Sequence, residues 1–218
     1  MNTTLNIRDL GKIAYRPALE LQLELHDQVK QTRKTPDDPI HFLMLEHDPP
    51  VITVGRRGKD SDILAAKPLL DHMGIELFKS SRGGEVTYHG PGQLVGYCMM
   101  NLDRPGRSVR CHIHYLEEII IRLLKRYDID AGRSEGYTGV WIGNEKIAAI
   151  GVAVEKWCTY HGFALNVCTN MDHFNLIVPC GIRDRGVTSM SKLLGREISV
   201  EEIKPQIAEL FKEVYNLD

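Results

Sequence analysis

Between Thr138 and Val167 the apolar residues fall into three short runs, Thr138 to Ile142, Lys146 to Val154 and His161 to Val167, parted by short turns such as Gly143-Asn144. Connections this short leave no room for a crossover helix, so strands formed by these runs must pair as antiparallel neighbours. The rest of the chain has to be built around that meander.

Upstream, five more runs are short and apolar enough for buried strands: His41 to Leu45, Val51 to Val54, Ile75 to Phe78, Glu85 to Tyr88 and Leu94 to Leu102. The first two flank Pro49-Pro50 and are expected to pair, and glycine-rich turns at Ser80 to Gly84 and Gly90 to Gly92 join the others into the same sheet. Three amphipathic helices complete the pattern. Pro17 opens one that buries Ala18, Leu21, Leu25 and Val29 and ends at Thr35-Pro36-Asp37-Asp38-Pro39. Ser108 caps a second, with Ile113, Leu116, Ile120, Leu123 and Tyr127 on one face. Ser199 starts the third, with Glu202 as its capping-box partner and Ile203, Ile207, Leu210 and Val214 inward, although Pro205 is expected to kink it. With 218 residues and no linker or repeat, the expectation is one α+β domain, residues 1–218, with a largely antiparallel sheet and helices packed on it.

Charge and cysteine usage exclude whole classes of function. The 27 Lys and Arg against 29 Asp and Glu give no basic field for nucleic acid, and no stretch approaches the roughly 20 apolar residues of a membrane helix. The opening MNTTLNIRDLGKIAY lacks the apolar core of a leader. Cys98, Cys111, Cys158, Cys168 and Cys180 are odd in number and contain no Cys-x-x-Cys pair, so neither a disulfide framework nor a zinc site is indicated, and free thiols in a cytoplasmic protein fit best. Cys98 and Cys111 lie within apolar patterns and read as core.

The densest candidate for chemistry is Ser81 to Gln93, where four glycines let a ligand approach the backbone and Arg82 and His89 supply charge and a base. It is neither a phosphate loop nor a dinucleotide fingerprint, so no cofactor is expected. Cys180 sits in Val178-Pro179-Cys180-Gly181-Ile182, where proline stiffens the approach and glycine exposes backbone N–H groups able to hold an oxyanion beside a sulfur nucleophile. Lone cysteines are more often packed core, and a strand-mouth lysine such as Lys146 is by spacing alone a solvated one. His89, His161 and His173 qualify as bases or orienting groups but are too scattered for a metal motif. Arg56, Arg57 and Lys59 form a small basic edge.

Taken together, Arg82-Gly83-Gly84-Glu85-Val86-Thr87-Tyr88-His89-Gly90-Pro91-Gly92-Gln93-Leu94, Thr138-Gly139-Val140-Trp141, Lys146-Ile147-Ala148-Ala149-Ile150-Gly151, Trp157, Thr159, His161-Gly162-Phe163-Ala164-Leu165-Asn166-Val167 and Pro179-Cys180-Gly181-Ile182 resemble the lipoyl(octanoyl) transferase family in content and order. The resemblance runs from about Val51 to Met190, departing from it at Cys98, where a proline is expected, and in Ser134-Glu135-Gly136. It implies the fold of biotin and lipoate protein ligase catalytic domains, a mixed, mainly antiparallel sheet flanked by helices.

The same resemblance implies an octanoyltransferase of lipoate biosynthesis. Cys180 would carry the acyl group, and Lys146 would lower its pKa and shuttle protons. Arg82, Gly83, Gly84, Glu85, Val86, Thr87, Tyr88, His89, Ala149, Ile150, Gly151, Gly162, Phe163 and Ala164 would line a largely apolar acyl pocket. The implied donor is octanoyl-acyl carrier protein, and the implied acceptors are lipoyl domains of 2-oxoacid dehydrogenase complexes and the glycine cleavage H protein. Two rivals remain open: a lipoate or biotin protein ligase, which uses ATP and does not need Cys180, and a silent carrier-binding scaffold.

Overall fold

The structure is a computed structural model that describes residues 2–178 and 185–217. Its strands are β1 (Asn2–Ile13), β2 (Asp37–His47), β3 (Val51–Val54), β4 (Glu76–Lys79), β5 (Val86–His89), β6 (Gln93–Met99), β7 (Gly132–Ser134), β8 (Tyr137–Ile142), β9 (Glu145–Glu155), β10 (Cys158–Asn166) and β11 (Gly186–Val187). Its helices are α1 (Tyr15–Thr32), α2 (Lys67–His72), α3 (Val109–Lys125), α4 (Met190–Leu194) and α5 (Val200–Tyr215). No helix among the described residues is long and apolar enough to cross a membrane.

The predicted meander β8-β9-β10 forms the middle of an eight-stranded sheet ordered β1-β2-β6-β10-β9-β8-β7, with β11 alongside β9. Most pairs are antiparallel, while β1 with β2 and β11 with β9 are parallel, so the sheet is mixed. Alternation along the strands sorts the core into two faces. Ile40, Phe42 and Met44 of β2, Leu94 and Cys98 of β6, and Phe163 and Leu165 of β10 pack with α3 and α5 on one side. Leu43 and Leu45, Val95 and Tyr97, and Ala164 pack with Ala18, Leu25 and Val29 of α1 on the other. The Ser108 and Ser199 hydroxyls accept from the amides of Cys111 and Glu202, as their N-cap positions predict, and α5 continues helical through Pro205. Cys98 is buried as expected, whereas Cys111 is only half-buried.

Two expectations are corrected. The strands at His41 to Leu45 and Val51 to Val54 do not pair: β2 is flanked on both edges by β1 and β6, and β3 instead centres a separate three-stranded sheet, β4-β3-β5. Pro49 and Pro50 cannot donate the backbone hydrogen bonds that a hairpin between them would need. The single sheet inferred from the upstream runs is therefore two. Helix α1 ends at Thr32, ahead of the Thr35 to Pro39 segment as expected, and β2 begins within that segment, at Asp37.

Within the larger sheet the neighbouring strands β6 and β10 approach closely at Gly96 and Gly162. A Cβ on Gly162 would overlap the Gly96 carbonyl oxygen, and one on Gly96 would overlap the Phe163 ring. Gly162→Ala is therefore expected to cost about 3 kcal/mol of stability, an overpacking penalty paid by backbone that cannot yield. Thermal unfolding checks this, and an unchanged midpoint would contradict it.

Candidate active site

The glycine segment after β4 is held from two directions. Gly55 N–H donates to the Glu85 carbonyl at 2.8 Å and Arg57 N–H to that of Gly84 at 3.1 Å, while Gly83 N–H donates to the Val152 carbonyl of β9 at 2.9 Å. Gly84 adopts φ +89°, a value L side chains rarely tolerate. The Arg82 guanidinium clamps the segment to β3: Nε donates to Thr53 Oγ1 at 3.1 Å, Nη2 to the Thr53 carbonyl at 2.6 Å and Nη1 to the Gly83 carbonyl at 3.0 Å. Gly151 leaves room for this clamp, since a Cβ there would lie 3.1 Å from both Arg82 Cδ and the Gly83 carbonyl oxygen. Arg82 thus shapes the loop as well as lining the space beside it.

That space is a cavity of about 640 Å³ between the glycine segment, β9 and β10. Arg82, Gly83, Gly84, Glu85, Val86, Thr87 and His89 line it, with Lys146, Ala149, Ile150, Gly151, Gly162, Phe163 and Ala164. Tyr88 is the exception among the sequence-derived pocket residues. Strand alternation turns it to the opposite face, where its ring packs on Phe174 and its hydroxyl meets His173 Nδ1 at 2.7 Å. His173 sits with it, outside the cavity.

The lining is mixed, whereas the family resemblance implies a largely apolar one. Tyr15, Thr53, Arg57, Tyr97 and His161 join it from segments far apart in the chain, and none of them carried a sequence signal for the pocket except His161. His161 adopts φ +61°, unusual for a side chain with a Cβ, with its N–H on Gln22 Oε1 at 3.0 Å and Nε2 3.2 Å from Ser81 Oγ. Burial, then the nearby Arg82 guanidinium, lowers its pKa to about 3. Burial likewise lowers His47 to about 4, with Nε2 2.7 Å from the Tyr97 hydroxyl. These imidazoles are neutral and act as hydrogen-bonding groups rather than cations.

Lys146 is buried, against the solvated lysine that spacing alone suggests. Its ammonium lies 4.7 Å from the centre of the Trp141 indole, a cation–π contact supplied by the neighbouring strand β8. Gly139, with φ +124°, keeps that side open; a Cβ there would lie 2.6 Å from the Ala148 carbonyl oxygen. On the other edge β11 runs parallel to β9 with Val187 opposite Lys146, and Thr188 N–H donates to the Lys146 carbonyl at 3.0 Å. The Arg185 guanidinium also packs over Trp141, at 4.8 Å, so the chain just after residues 179–184 is fixed beside Lys146. Cys180 itself falls within 179–184, outside the described residues.

Residues 14–212 match the model of the lipoyl protein ligase A/B catalytic domain. The chain belongs to that family. Among relatives of this lipoyl ligase A/B domain, an octanoyltransferase of Caldicellulosiruptor saccharolyticus is 48% identical over 213 residues, covering 97% of this chain and 88% of the relative. An octanoyltransferase of Desulforamulus reducens is 47% identical, over 97% of this chain and 91% of its own. In fold, the chain superposes on a putative lipoate protein ligase from T. acidophilum with a TM-score of 0.74 at 15% identity, covering 100% of this chain and 87% of that one. At that identity the likeness establishes the architecture alone, and it matches the mixed sheet flanked by helices expected from the motifs.

Proposed function

We infer that this member of the lipoyl ligase A/B family is an octanoyltransferase, an acyltransferase that modifies lipoyl domains. The observation that carries the reading is the near-half identity to octanoyltransferases over 97% of the chain. The cavity supports it: a volume of about 640 Å³ is ample for an eight-carbon chain and the group that delivers it.

In the proposed reaction octanoyl-acyl carrier protein is the donor. The Cys180 thiolate attacks the donor's thioester carbonyl, a tetrahedral oxyanion forms, and the carrier thiolate leaves as the octanoyl-Cys180 thioester remains. Lys146 stabilises the Cys180 thiolate and returns a proton to the departing carrier sulfur. A lysine of the acceptor then attacks the acyl carbon as a neutral amine; its C–N bond forms, the C–S bond breaks, and the proton lost from nitrogen passes to Lys146. Acceptors are the lipoyl domains of 2-oxoacid dehydrogenase complexes and the glycine cleavage H protein. The mixed lining suits a substrate with two characters. Ala149, Ile150, Phe163 and Ala164 meet the alkyl chain, and the polar wall meets the thioester and the incoming amine.

Because the donor arrives as a thioester, no adenylate is needed, which separates this reading from a ligase. With octanoyl-acyl carrier protein and a lipoyl domain alone, transfer is expected to proceed at full rate without ATP. A strict ATP requirement would establish ligase chemistry instead.

A further inference from the structure

One backbone carbonyl fixes the state of a side chain three hydrogen bonds away. The Thr188 carbonyl can only accept, so Asn166 presents its amide nitrogen to it, at 3.0 Å. Asn166 Oδ1 then faces Gln93, whose amide nitrogen donates to it at 2.9 Å and to the Tyr88 carbonyl at 3.2 Å. Gln93 Oε1 is left 2.8 Å from His89 Nδ1, and an oxygen there requires that nitrogen to carry the ring hydrogen. In the neutral ring, Nε2 is then the nitrogen that carries the lone pair. Nδ1 is the one ring nitrogen of His89 that any described residue bonds. The ring belongs to the cavity wall.

Neighbouring histidines do not provide the same thing. The His47 Nε2 lone pair is taken by the Tyr97 hydroxyl, and Ser81 Oγ can either donate to or accept from His161, leaving that tautomer open. The relay also touches Lys146 twice. Thr188 is bonded to the Lys146 backbone, and Gln93, Asn166 and Thr87 share a small annex of about 20 Å³ with the Lys146 side chain.

We propose that His89 holds the attacking amine: Nε2 accepts a hydrogen bond from one N–H of the acceptor lysine and aims the nitrogen at the acyl carbon. The proposal rests on the transferase reading above. An amine has two N–H bonds and rotates freely about its last carbon; a fixed acceptor on one of them removes that rotation, while the other N–H supplies the proton that leaves. Burial, followed by the nearby His47 and Arg82, holds the His89 imidazole well below its usual range, so the lone pair is present at neutral pH.

The test separates the two half-reactions. His89→Asn keeps a nitrogen for Gln93 but removes the cavity-side acceptor, whereas His89→Gln places an amide oxygen near the Nε2 position. Octanoylation of the protein by octanoyl-acyl carrier protein is timed alone, and transfer from the isolated octanoyl-protein to a lipoyl domain is timed separately. His89→Asn should slow transfer at least about tenfold more than octanoylation, the scale of one hydrogen bond made in the transition state, with the loss in kcat rather than KM and partial recovery in His89→Gln. Equal losses in both half-reactions, or no recovery by glutamine, would overturn the proposal. A larger loss in octanoylation would assign Nε2 to an amide of the donor's arm and also overturn it. If the wild-type protein never becomes octanoylated, the transferase mechanism has failed first, and the His89 role falls with it.

Discussion

Lys146→Ala is expected to slow octanoylation of the protein by about 100-fold or more, the range in which a positioned acid–base group contributes. The acid limb of the pH–rate profile for that step should also move up, toward the value of about 8.5 of an unassisted thiol. The reasoning is electrostatic. A free thiol is only a few per cent thiolate at neutral pH, and an ammonium in a water-poor site raises that fraction more than one on the surface. Lys146 meets the second condition: it is buried, at the cavity wall, with its ammonium over the Trp141 ring. Lys146→Arg keeps the charge and loses the ability to give up a proton, so it should hold the limb in place while leaving transfer to the acceptor slow. If Lys146 merely packs on Trp141, the alanine variant loses stability and its pH–rate limb stays where it was.

Acid should unfold the protein well before its carboxylates titrate. His47, His112 and His161 are each at most 2% exposed, and burial lowers them to about 4, about 4 and about 3. In the unfolded chain each has the ordinary value of about 6.5. Below that value the unfolded state binds protons that the folded state refuses, so stability is fully present above about pH 6.5 and is lost as the pH falls toward the folded values. At pH 5 the loss is about 2 kcal/mol for each histidine, or about 6 kcal/mol for the three, which is comparable with the whole stability of many domains. Urea midpoints at pH 7 and pH 5 measure it. A stability that stays flat over that interval would mean these imidazoles are reached by water in the folded protein.

The hairpin core was legible in the sequence because its information is local. Turns such as Gly143-Asn144 sit between runs whose alternation already assigns each residue to a face, and Leu94, Phe163 and Leu165 fall where that alternation puts them. Strand β1 was not legible: Asn2–Ile13 is a polar edge strand, half exposed, whose partner lies some thirty residues away, so nothing in its own pattern sets it apart from a loop. The separation of β3 from the main sheet was equally hidden. Val51–Val54 is buried on both faces, and a fully apolar run does not encode which sheet receives it.

The site divides along the same line. The glycine segment and the β9 and β10 residues of the cavity are contiguous motifs, readable as such. Tyr15, Thr53 and Tyr97 arrive from α1, β3 and β6, and only the folded chain brings them to one wall. Tyr88 failed in the opposite way, as a motif residue turned by strand alternation to the far side of β5. Trp141 stands directly across the Gly143-Asn144 hairpin from Lys146, but the spacing of the two residues does not encode that the lysine lies over the indole and is buried there.

The account stands on an acyl group passing through one sulfur. Incubating the protein with octanoyl-acyl carrier protein, without ATP and without an acceptor, and weighing the intact chain tests this directly. The predicted result is a mass gain of one octanoyl group that Cys180→Ser abolishes. An unmodified wild-type chain, or an adduct that survives in Cys180→Ser, would contradict it.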